Sequence, residues 1–420
     1  ARQYHSIAKP LGVHDLGADD DNTKAFLPDN NFYYVPGTQL GGEIDLNDPV
    51  HGMYIEKPAK ATGNNRFDAW PNKNDWYETV KLNYGVDYMN NTGNHFDPVP
   101  DTWKKMRDIL LFWSSKGIDG FRCDMAEMVP CEFWGWVIPQ IKQKHAKLTF
   151  IAEVYNPNEY RNYIHNGHFD YLYDKVGLYD TLRALACGYA SATAITGCWQ
   201  SVNDIQSHML NFLENHDEQR IASEFFAGDA RKALPALIVS ACMNTNPMMI
   251  YFGQELGEPG MDSEGFSGRD GRTTIFDYWS VDSIRRWSNH GRYNLHLLND
   301  QEKELRHFYQ TVLTLCNKEK AISKGEFFDL MYVNSDGWMM NPHRQYVFMR
   351  KCDDELLLII TNFDSIPVNI SVNIPQHAFD FWGMRQYIEI KSRDLLTGKS
   401  EKIAFCADKP VVTDVPAYGG

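Results

Sequence analysis

Asp124 ends the stretch Gly-Phe-Arg-Cys-Asp at residues 120–124, where a carboxylate could act as a nucleophile. Arg122 and Asp124 are two residues apart, so on a strand both side chains would point to the same side. An arginine beside a carboxylate keeps that carboxylate ionised, which is the state a nucleophile needs. A structural ion pair is the alternative interpretation of these two residues.

Glu153 follows the apolar residues Phe-Ile-Ala at 150–152, with nothing polar directly before it. Partial burial at such a position would favour the neutral carboxyl group that a general acid needs in order to donate a proton. The alternative interpretation is a carboxylate that caps the N-terminus of the following helix.

His216 and Asp217 close a third apolar stretch, which includes Phe212 and Leu213. A lone His-Asp pair is more often structural than catalytic. Three acids at the ends of strand-like runs change this balance, because active sites of parallel α/β barrels gather at the C-terminal strand ends. Glycoside hydrolysis needs two carboxyl groups across the scissile bond, about 5–5.5 Å apart in retaining enzymes.

The elements that must position these acids alternate between strand and helix from Asp101 onwards. Apolar residues at helical spacing predict a helix from residue 101 that Gly117 closes, and a strand follows at 118–123. Later strand-like runs end near Glu153, Asp174, Asn215 and Glu255, with helical stretches such as 231–243 between them. This alternation predicts a parallel α/β fold, of which a barrel is the commonest form.

The residue patterns at the two ends of the chain differ from the strand–helix alternation between them. Residues 1–100 are rich in Asn, Asp, Gly and Pro without helical periodicity, which predicts a loop-rich subdomain. Near the other end, residues 345–350 and 355–362 form a hairpin pattern, and further strands at 368–374 and 387–390 predict a small antiparallel β-sandwich. The predicted domains are therefore 1–100, 101–325 and 326–420.

Composition narrows the classes of partner. The formal net charge is −14 and no basic cluster offsets it, so the sequence predicts neither a nucleic-acid nor a membrane partner. No apolar run reaches the roughly 18 residues of a membrane span. The eight cysteines form no C-x-x-C pair, which disfavours zinc and thioredoxin-like sites, and Cys123 and Cys242 are predicted to be buried thiols. The sequence predicts no particular cellular compartment.

The motifs taken together resemble those of the α-amylase family, glycoside hydrolase family 13. Residues 120–126 resemble the motif of its fourth barrel strand, 151–153 that of the fifth, 215–217 that of the seventh and 251–255 that of the eighth. Residues 81–84 resemble the short motif that ends the family's inserted domain. The resemblance implies a (β/α)8 TIM barrel with an inserted loop-rich domain and a C-terminal β-sandwich.

The same resemblance implies a retaining hydrolase acting on a neutral α-glucan such as starch or a maltooligosaccharide. Asp124 would attack the anomeric carbon, and Glu153 would protonate the leaving oxygen. Asp217 would bind sugar hydroxyls and stabilise the oxocarbenium-like transition state. Arg122 would orient Asp124, and His216 would hydrogen-bond the sugar in the first subsite.

Aromatic residues near these motifs have two interpretations. Tyr155 lies just past Glu153 and is a candidate sugar contact. Phe133, Trp134 and Trp136 follow the Asp124 motif and could stack on sugar rings, but core packing is the preferred interpretation.

The resemblance implies that the chemistry needs no cofactor, although family members often hold a structural calcium near the inserted domain. Asp15 and the run 19–21 carry carboxylates that suit calcium. The run does not match EF-hand spacing, so a solvated acidic loop is preferred.

Departures from the family pattern are also informative. Glu127-Met128 replaces a Lys-His pair found in many members, which leaves acceptor-side specificity open. The Asp-x-x-x-Asn-His motif of the third strand is absent, and Ala1–Tyr4 resembles the sequence just after it. Five barrel strands are counted where the family has eight. We therefore expect a C-terminal portion that lacks the first three barrel strands, with the missing N-terminal part as a partner.

Two alternatives remain beside hydrolysis. Transglycosylation or isomerisation would use the same three acids, because the covalent intermediate is shared. A non-catalytic relative, such as the transporter-associated chains of this fold, is disfavoured because all three acids are present and no membrane segment is seen.

Overall fold

The computed structural model describes residues 15–48, 52–260, 268–273, 281–335 and 337–420. The resemblance noted at Ala1–Tyr4 concerns residues outside these ranges. The chain forms two compact units. The first contains the residues up to Glu153 together with Arg161–Asp170, and the second contains Val154–Tyr160 and Tyr171–Gly420.

The N-terminal part of the first unit is loop-rich, as predicted. Its strands are two residues long and pair antiparallel in three sets: β1 (Tyr34–Val35) with β4 (Ala59–Lys60), β2 (Asn47–Asp48) with β3 (Gly52–Met53), and β5 (Val86–Asp87) with β6 (Gly93–Asn94).

Polar side chains replace sheet hydrogen bonds in these loops. The Asp20 carboxylate accepts the N–H groups of Asn31 at 2.7 Å and Phe32 at 3.1 Å, and the Tyr34 hydroxyl at 2.9 Å. Asp and Asn side chains satisfy nearby backbone groups in this way, which allows long loops without regular structure.

The first unit also contains two parallel strands with their helices. They are α1 (Asp101–Ser114), β7 (Gly120–Cys123), α2 (Cys131–Lys144), β8 (Thr149–Ala152) and α3 (Tyr160–His165), of which α3 begins in the second unit. Strands β7 and β8 pair in parallel from Gly120 opposite Thr149 to Cys123 opposite Ala152. A Cβ atom at Gly120 would collide with the Thr149 carbonyl oxygen, so glycine permits this approach.

Three further parallel strands lie in the second unit. Its elements in chain order are β9 (Tyr171–Tyr173), α4 (Asp180–Ala186), α5 (Ala194–Ser201), β10 (Met209–Phe212), α6 (Leu234–Cys242), β11 (Met248–Met249), α7 (Asp282–Ser288), α8 (Asp300–Lys318) and α9 (Lys320–Ser323). Strand β10 pairs in parallel with both β9 and β11. The described ranges thus contain the five parallel strands that the sequence predicts.

The last strand is shorter than expected. The apolar run was predicted to extend to about Glu255, but β11 ends at Met249 and Glu255 lies in a 3-10 turn. Gly253 adopts a φ of +80°, which an extended strand does not permit, so the backbone turns before Glu255.

The C-terminal strands of the second unit are antiparallel, as predicted. Strands β12 (Glu326–Asp329), β13 (Gln345–Cys352) and β14 (Glu355–Asn362) form one sheet. Strand β15 (Val368–Val372) precedes helix α10 (Gln376–Trp382) and pairs with β18 (Val411–Val415), while β16 (Tyr387–Arg393) pairs with β17 (Ser400–Phe405).

The main hydrophobic core of the second unit includes buried residues of α6, α8 and β13, such as Leu237, Val312 and Phe348. The predicted domain boundaries at residues 100 and 325 stay predictions. Across the described ranges, no helix is both long and apolar enough to cross a membrane. Cys123 and Cys242 are buried thiols, as the sequence predicts.

Candidate active site

Adjacent strands place Asp124 and Glu153 side by side in the first unit. Asp124 follows β7 and Glu153 follows β8, and the last residues of the two strands, Cys123 and Ala152, are direct neighbours. The Glu153 N–H also donates to the Cys123 carbonyl oxygen at 3.1 Å. Parallel pairing therefore brings the two acids to the same end of the strands.

Arg122 contacts both acids through its two terminal nitrogens. Its Nη1 donates to Asp124 Oδ1, and its Nη2 lies 3.2 Å from Glu153 Oε2. The predicted pairing of Arg122 with Asp124 is therefore present, and Glu153 shares the same guanidinium group. The guanidinium thus hydrogen-bonds Asp124 and lies within ion-pair distance of Glu153.

The two carboxylates differ sharply in exposure. The Asp124 side chain is 73% exposed, whereas that of Glu153 is 5% exposed. Glu153 Oε2 also accepts the Met125 N–H at 2.8 Å. An open carboxylate beside a sheltered one suits a division into nucleophile and proton donor.

The backbone directly after Asp124 turns sharply. Met125 has a φ of +46°, a left-handed conformation that is uncommon for a residue other than glycine. This turn directs the Met125 N–H towards Glu153. Trp134 stabilises the turn, because its indole N–H donates to the Ala126 carbonyl oxygen at 3.2 Å.

The aromatic residues after the Asp124 motif serve the core. Phe133 and Trp134 are buried, and the Phe133 ring contacts the rings of Trp103 and Tyr84 with centroids 5.6 and 4.9 Å apart. The burial of Phe133 and Trp134 agrees with the predicted core packing, whereas Trp136 is partly exposed and packs its ring 5.6 Å from that of Trp103.

Lys81, in the motif at residues 81–84, reaches the same turn. Its Nζ donates to the Met128 carbonyl oxygen at 3.4 Å, and burial lowers the pKa of Lys81 to about 8. The sequence alone did not indicate this contact.

The second unit positions His216 and Asp217 through Asn215. The Asn215 side-chain oxygen accepts the N–H groups of Asp217 and Glu218, both at 2.9 Å, which closes a tight turn after β10. His216 Nε2 lies 3.2 Å from Asp217 Oδ2, and Arg272 Nε donates to the Asp217 carbonyl oxygen at 2.6 Å. His216 and Asp217 are thus brought together in this unit.

Tyr155 belongs to a charged network in the second unit. Lys175 Nζ lies 5.9 Å from the centre of the Tyr155 ring and 3.3 Å from Glu218 Oε1. Arg183 Nη1 lies 3.1 Å from Glu218 Oε2. This network links Tyr155 through Lys175 to Glu218, the residue that follows Asp217, and the role of Tyr155 as a sugar contact stays a prediction.

Sequence reasoning missed a buried ion pair beneath the His216–Asp217 turn. Arg220 is fully buried, and its Nη1 donates to Glu214 Oε2 and to the Phe252 carbonyl oxygen, both at 2.8 Å. The Arg220 guanidinium lies 4.3 Å from the Tyr251 ring centre. Burial raises the pKa of Glu214. The pair ties the turn to the motif at residues 251–255.

Two carboxylates of the acidic run near the N-terminus, those of Asp20 and Asp21, accept hydrogen bonds within the chain. Both Asp20 oxygens accept hydrogen bonds from the chain, and Asp21 Oδ1 accepts the N–H of Thr23 at 3.0 Å. Among the described residues no group of three or more His, Cys, Asp or Glu side chains is arranged to hold a metal ion. A structural calcium stays a prediction.

Asp174, which follows β9, should make stability depend on pH. Burial raises the pKa of Asp174 to about 6 from 3.8. Folding therefore favours the protonated form, and the stabilisation present below about pH 4 is lost as the pH rises through about 6, by on the order of 3 kcal/mol. Asp174→Asn keeps the Oδ1 acceptor that the Leu178 N–H uses, so the variant should lack this loss.

Urea denaturation of both proteins between pH 4 and 7 measures the difference in their free energies of unfolding. Identical pH slopes would contradict the assigned protonation of Asp174.

Comparison with known proteins assigns the chain to a family. The model of the alpha-amylase catalytic domain matches residues 54–324. Alpha-amylase 3 of Dictyoglomus thermophilum is 24% identical over 387 residues, covering 85% of this chain and 68% of that protein. An alpha-1,4-glucan:maltose-1-phosphate maltosyltransferase of Cereibacter sphaeroides is 37% identical over 57 residues, and the match spans 14% of this chain and only 10% of that protein.

Among solved structures, the alpha-amylase of Geobacillus thermoleovorans complexed with acarbose resembles the chain with a TM-score of 0.57 and 15% identity. The match covers 90% of this chain and 69% of that one. At this identity the likeness shows the fold, and it confirms the predicted class of a (β/α)8-type barrel with a C-terminal β-sandwich. Since the family model covers more than half of the sequence, the chain belongs to the α-amylase family.

Proposed function

We propose that the protein is a retaining glycoside hydrolase that cleaves α-glucosidic bonds of starch-type glucans or maltooligosaccharides. The observation that carries the proposal is the single Arg122 guanidinium that contacts both Asp124 and Glu153. Two carboxyl groups held side by side, one open and one sheltered, are what a double-displacement mechanism needs.

In the first step Asp124 would attack the anomeric carbon of the sugar. The bond to the leaving oxygen breaks, Glu153 gives that oxygen its proton, and a covalent glycosyl-Asp124 forms. Arg122 orients Asp124 by hydrogen-bonding it, and the exposure of this carboxylate leaves it accessible to a substrate.

In the second step Glu153, now ionised, would take a proton from water as the water attacks the same carbon and releases Asp124. Net retention of configuration follows from two inversions. The Met125 N–H would hold the Glu153 carboxylate in place through both steps, with Arg122 at ion-pair distance from it. No cofactor takes part in this scheme.

Asp217 and His216 are proposed to bind the sugar rather than to bond covalently with it. Asp217 would accept sugar hydroxyls and stabilise positive charge in the transition state, while His216 would donate to the sugar in the first subsite. Their support is their position after β10 in the order of the family's motifs, together with the turn that Asn215 fixes. That Asp217 meets the same sugar as Asp124 stays a prediction.

Transglycosylation is the second candidate, because part of the chain is 37% identical to a maltosyltransferase. The test is product analysis of maltoheptaose cleavage by the full-length protein, with and without a labelled glucose acceptor. Hydrolysis predicts short sugars whose distribution the acceptor does not change. Labelled products longer than the acceptor would instead assign transfer, and no cleavage in either arm would contradict both functions.

A further inference from the structure

A cavity of about 830 Å³ lies in the second unit, and the described residues that line it do not include His216 or Asp217. Its walls come from α5 and the turn after it, from residues 244–245 after α6, from β12 with the turn that follows, and from α10. The volume lies within the range of roughly 300–1,000 Å³ that is usual for ligand sites. We propose that this cavity is a second, non-catalytic binding site for a neutral oligosaccharide.

The charged residues in its wall are already hydrogen-bonded within the protein. Asp329 Oδ2 accepts the Thr196 hydroxyl at 2.6 Å, the Trp199 indole N–H at 2.8 Å and the Tyr346 hydroxyl at 3.0 Å. Its Oδ1 accepts the Met331 N–H at 2.7 Å. Asp329 is therefore a structural carboxylate that cannot readily pair with a cationic ligand.

The Arg350 guanidinium is also hydrogen-bonded within the protein. The guanidinium is buried and donates to four backbone carbonyl oxygens at 2.8–3.0 Å, those of Ala321, Met243, Ile322 and Gly325. Glu326, the remaining charged residue of the wall, accepts the Trp382 indole N–H at 2.9 Å. Since Asp329 and Arg350 already hydrogen-bond the protein, the uncharged groups of the wall remain for a ligand, which favours a neutral one.

Aromatic rings supply flat apolar surface at the mouth. Tyr332 and Phe381 are each 56% exposed, although large aromatic rings are usually buried. Phe328 holds both from behind, with its ring centre 6.4 Å from that of Tyr332 and 5.6 Å from that of Phe381. Rings that are fixed in place and left open can stack on the apolar face of a sugar at little entropic cost.

One buried donor in the wall is unsatisfied. The Asn244 side-chain nitrogen is inaccessible to solvent and has no hydrogen-bond partner in the chain. Leaving such a donor unpaired destabilises a protein. A rotation of the Asn244 side chain towards the cavity would let a ligand acceptor pair with it. Uncharged amides and hydroxyls also line the cavity, among them Gln200, Asn203, Ser207 and Thr245. Neutral hydrogen-bonding groups beside open aromatic rings match a polyhydroxylated ligand.

The test is calorimetric titration of the full-length protein carrying Asp124→Asn, so that the sugar stays intact. Maltoheptaose is the probe, and its choice rests on the proposed function, so cellohexaose is titrated in parallel. Tyr332→Ala combined with Phe381→Ala should weaken binding of the sugar that occupies the cavity by at least tenfold. Asn244→Ala should weaken it severalfold, and Tyr332→Phe, which keeps the ring, should preserve it.

Tyr189→Ala is the matched control, since Tyr189 is 88% exposed in the same unit and does not line the cavity. Its binding should be unchanged, and thermal melting of each variant checks that the fold is intact. Binding of both sugars that is unchanged in the double variant, or no binding of either sugar, would overturn the proposal. If the protein with Asp124 intact cleaves no α-glucan while the cavity-dependent binding is present, only the proposed function is overturned.

Discussion

Asp124→Asn is expected to lower the rate of α-glucan cleavage by about 10⁴-fold or more in the full-length protein. The amide is nearly isosteric with the carboxylate and can still accept a hydrogen bond from Arg122, so the fold should be unchanged. It cannot form the glycosyl ester, and the covalent route is lost. Initial rates on maltoheptaose and circular dichroism spectra measure the two effects.

Asp119→Asn is the matched control. Asp119 is an exposed acid directly before the opposite end of β7, and its backbone carbonyl, not its side chain, accepts the Thr149 N–H at 3.0 Å. The same chemical change there should leave the rate unaltered. Near-normal turnover by Asp124→Asn would remove Asp124 from the proposed mechanism.

Arg220→Met should cause the largest loss of stability among the single changes considered. It leaves the Glu214 carboxylate buried without its cation and removes the bond to the Phe252 carbonyl oxygen. Breaking one side of a buried ion pair typically costs about 3–5 kcal/mol of unfolding free energy. Urea denaturation measures this loss.

Two comparisons make that experiment specific. Glu214→Gln combined with Arg220→Met removes both charges and should be less destabilised than Arg220→Met alone. Arg269→Met breaks an ion pair with Glu224 in which both side chains are more than 60% exposed, and it should change stability by less than about 1 kcal/mol. An Arg220→Met effect as small as this control would show that the buried pair is unimportant.

The sequence correctly predicted that Asp124 and Glu153 follow strands, because an apolar strand pattern is a local property of the chain. Arg122 lies on β7 and Asp124 directly follows that strand, so the two-residue spacing made their pairing foreseeable. The contact between Arg122 and Glu153 was not. It depends on the register that sets Cys123 opposite Ala152, and a single sequence does not specify register.

Non-local packing explains what was missed. Glu214 and Arg220 flank the His216–Asp217 turn, and their opposite charges near an apolar run were the available signal. Their burial and their contact with residue 252 depend on how distant loops close, which no local pattern encodes. The two-residue strands of the loop-rich region were unpredictable for a related reason, because side chains such as Asp20 hold those loops.

Trapping the covalent intermediate tests the central claim most directly. The full-length protein is incubated with a 5-fluoro-α-glucosyl fluoride, whose ring fluorine slows both steps and whose fluoride leaves without a proton from Glu153. Peptide mass spectrometry then locates the added sugar. The mechanism predicts one fluoroglucosyl group on the peptide containing Asp124, at Asp124 itself. A sugar on another carboxylate, or a first hydrolysis product of inverted configuration, would contradict it.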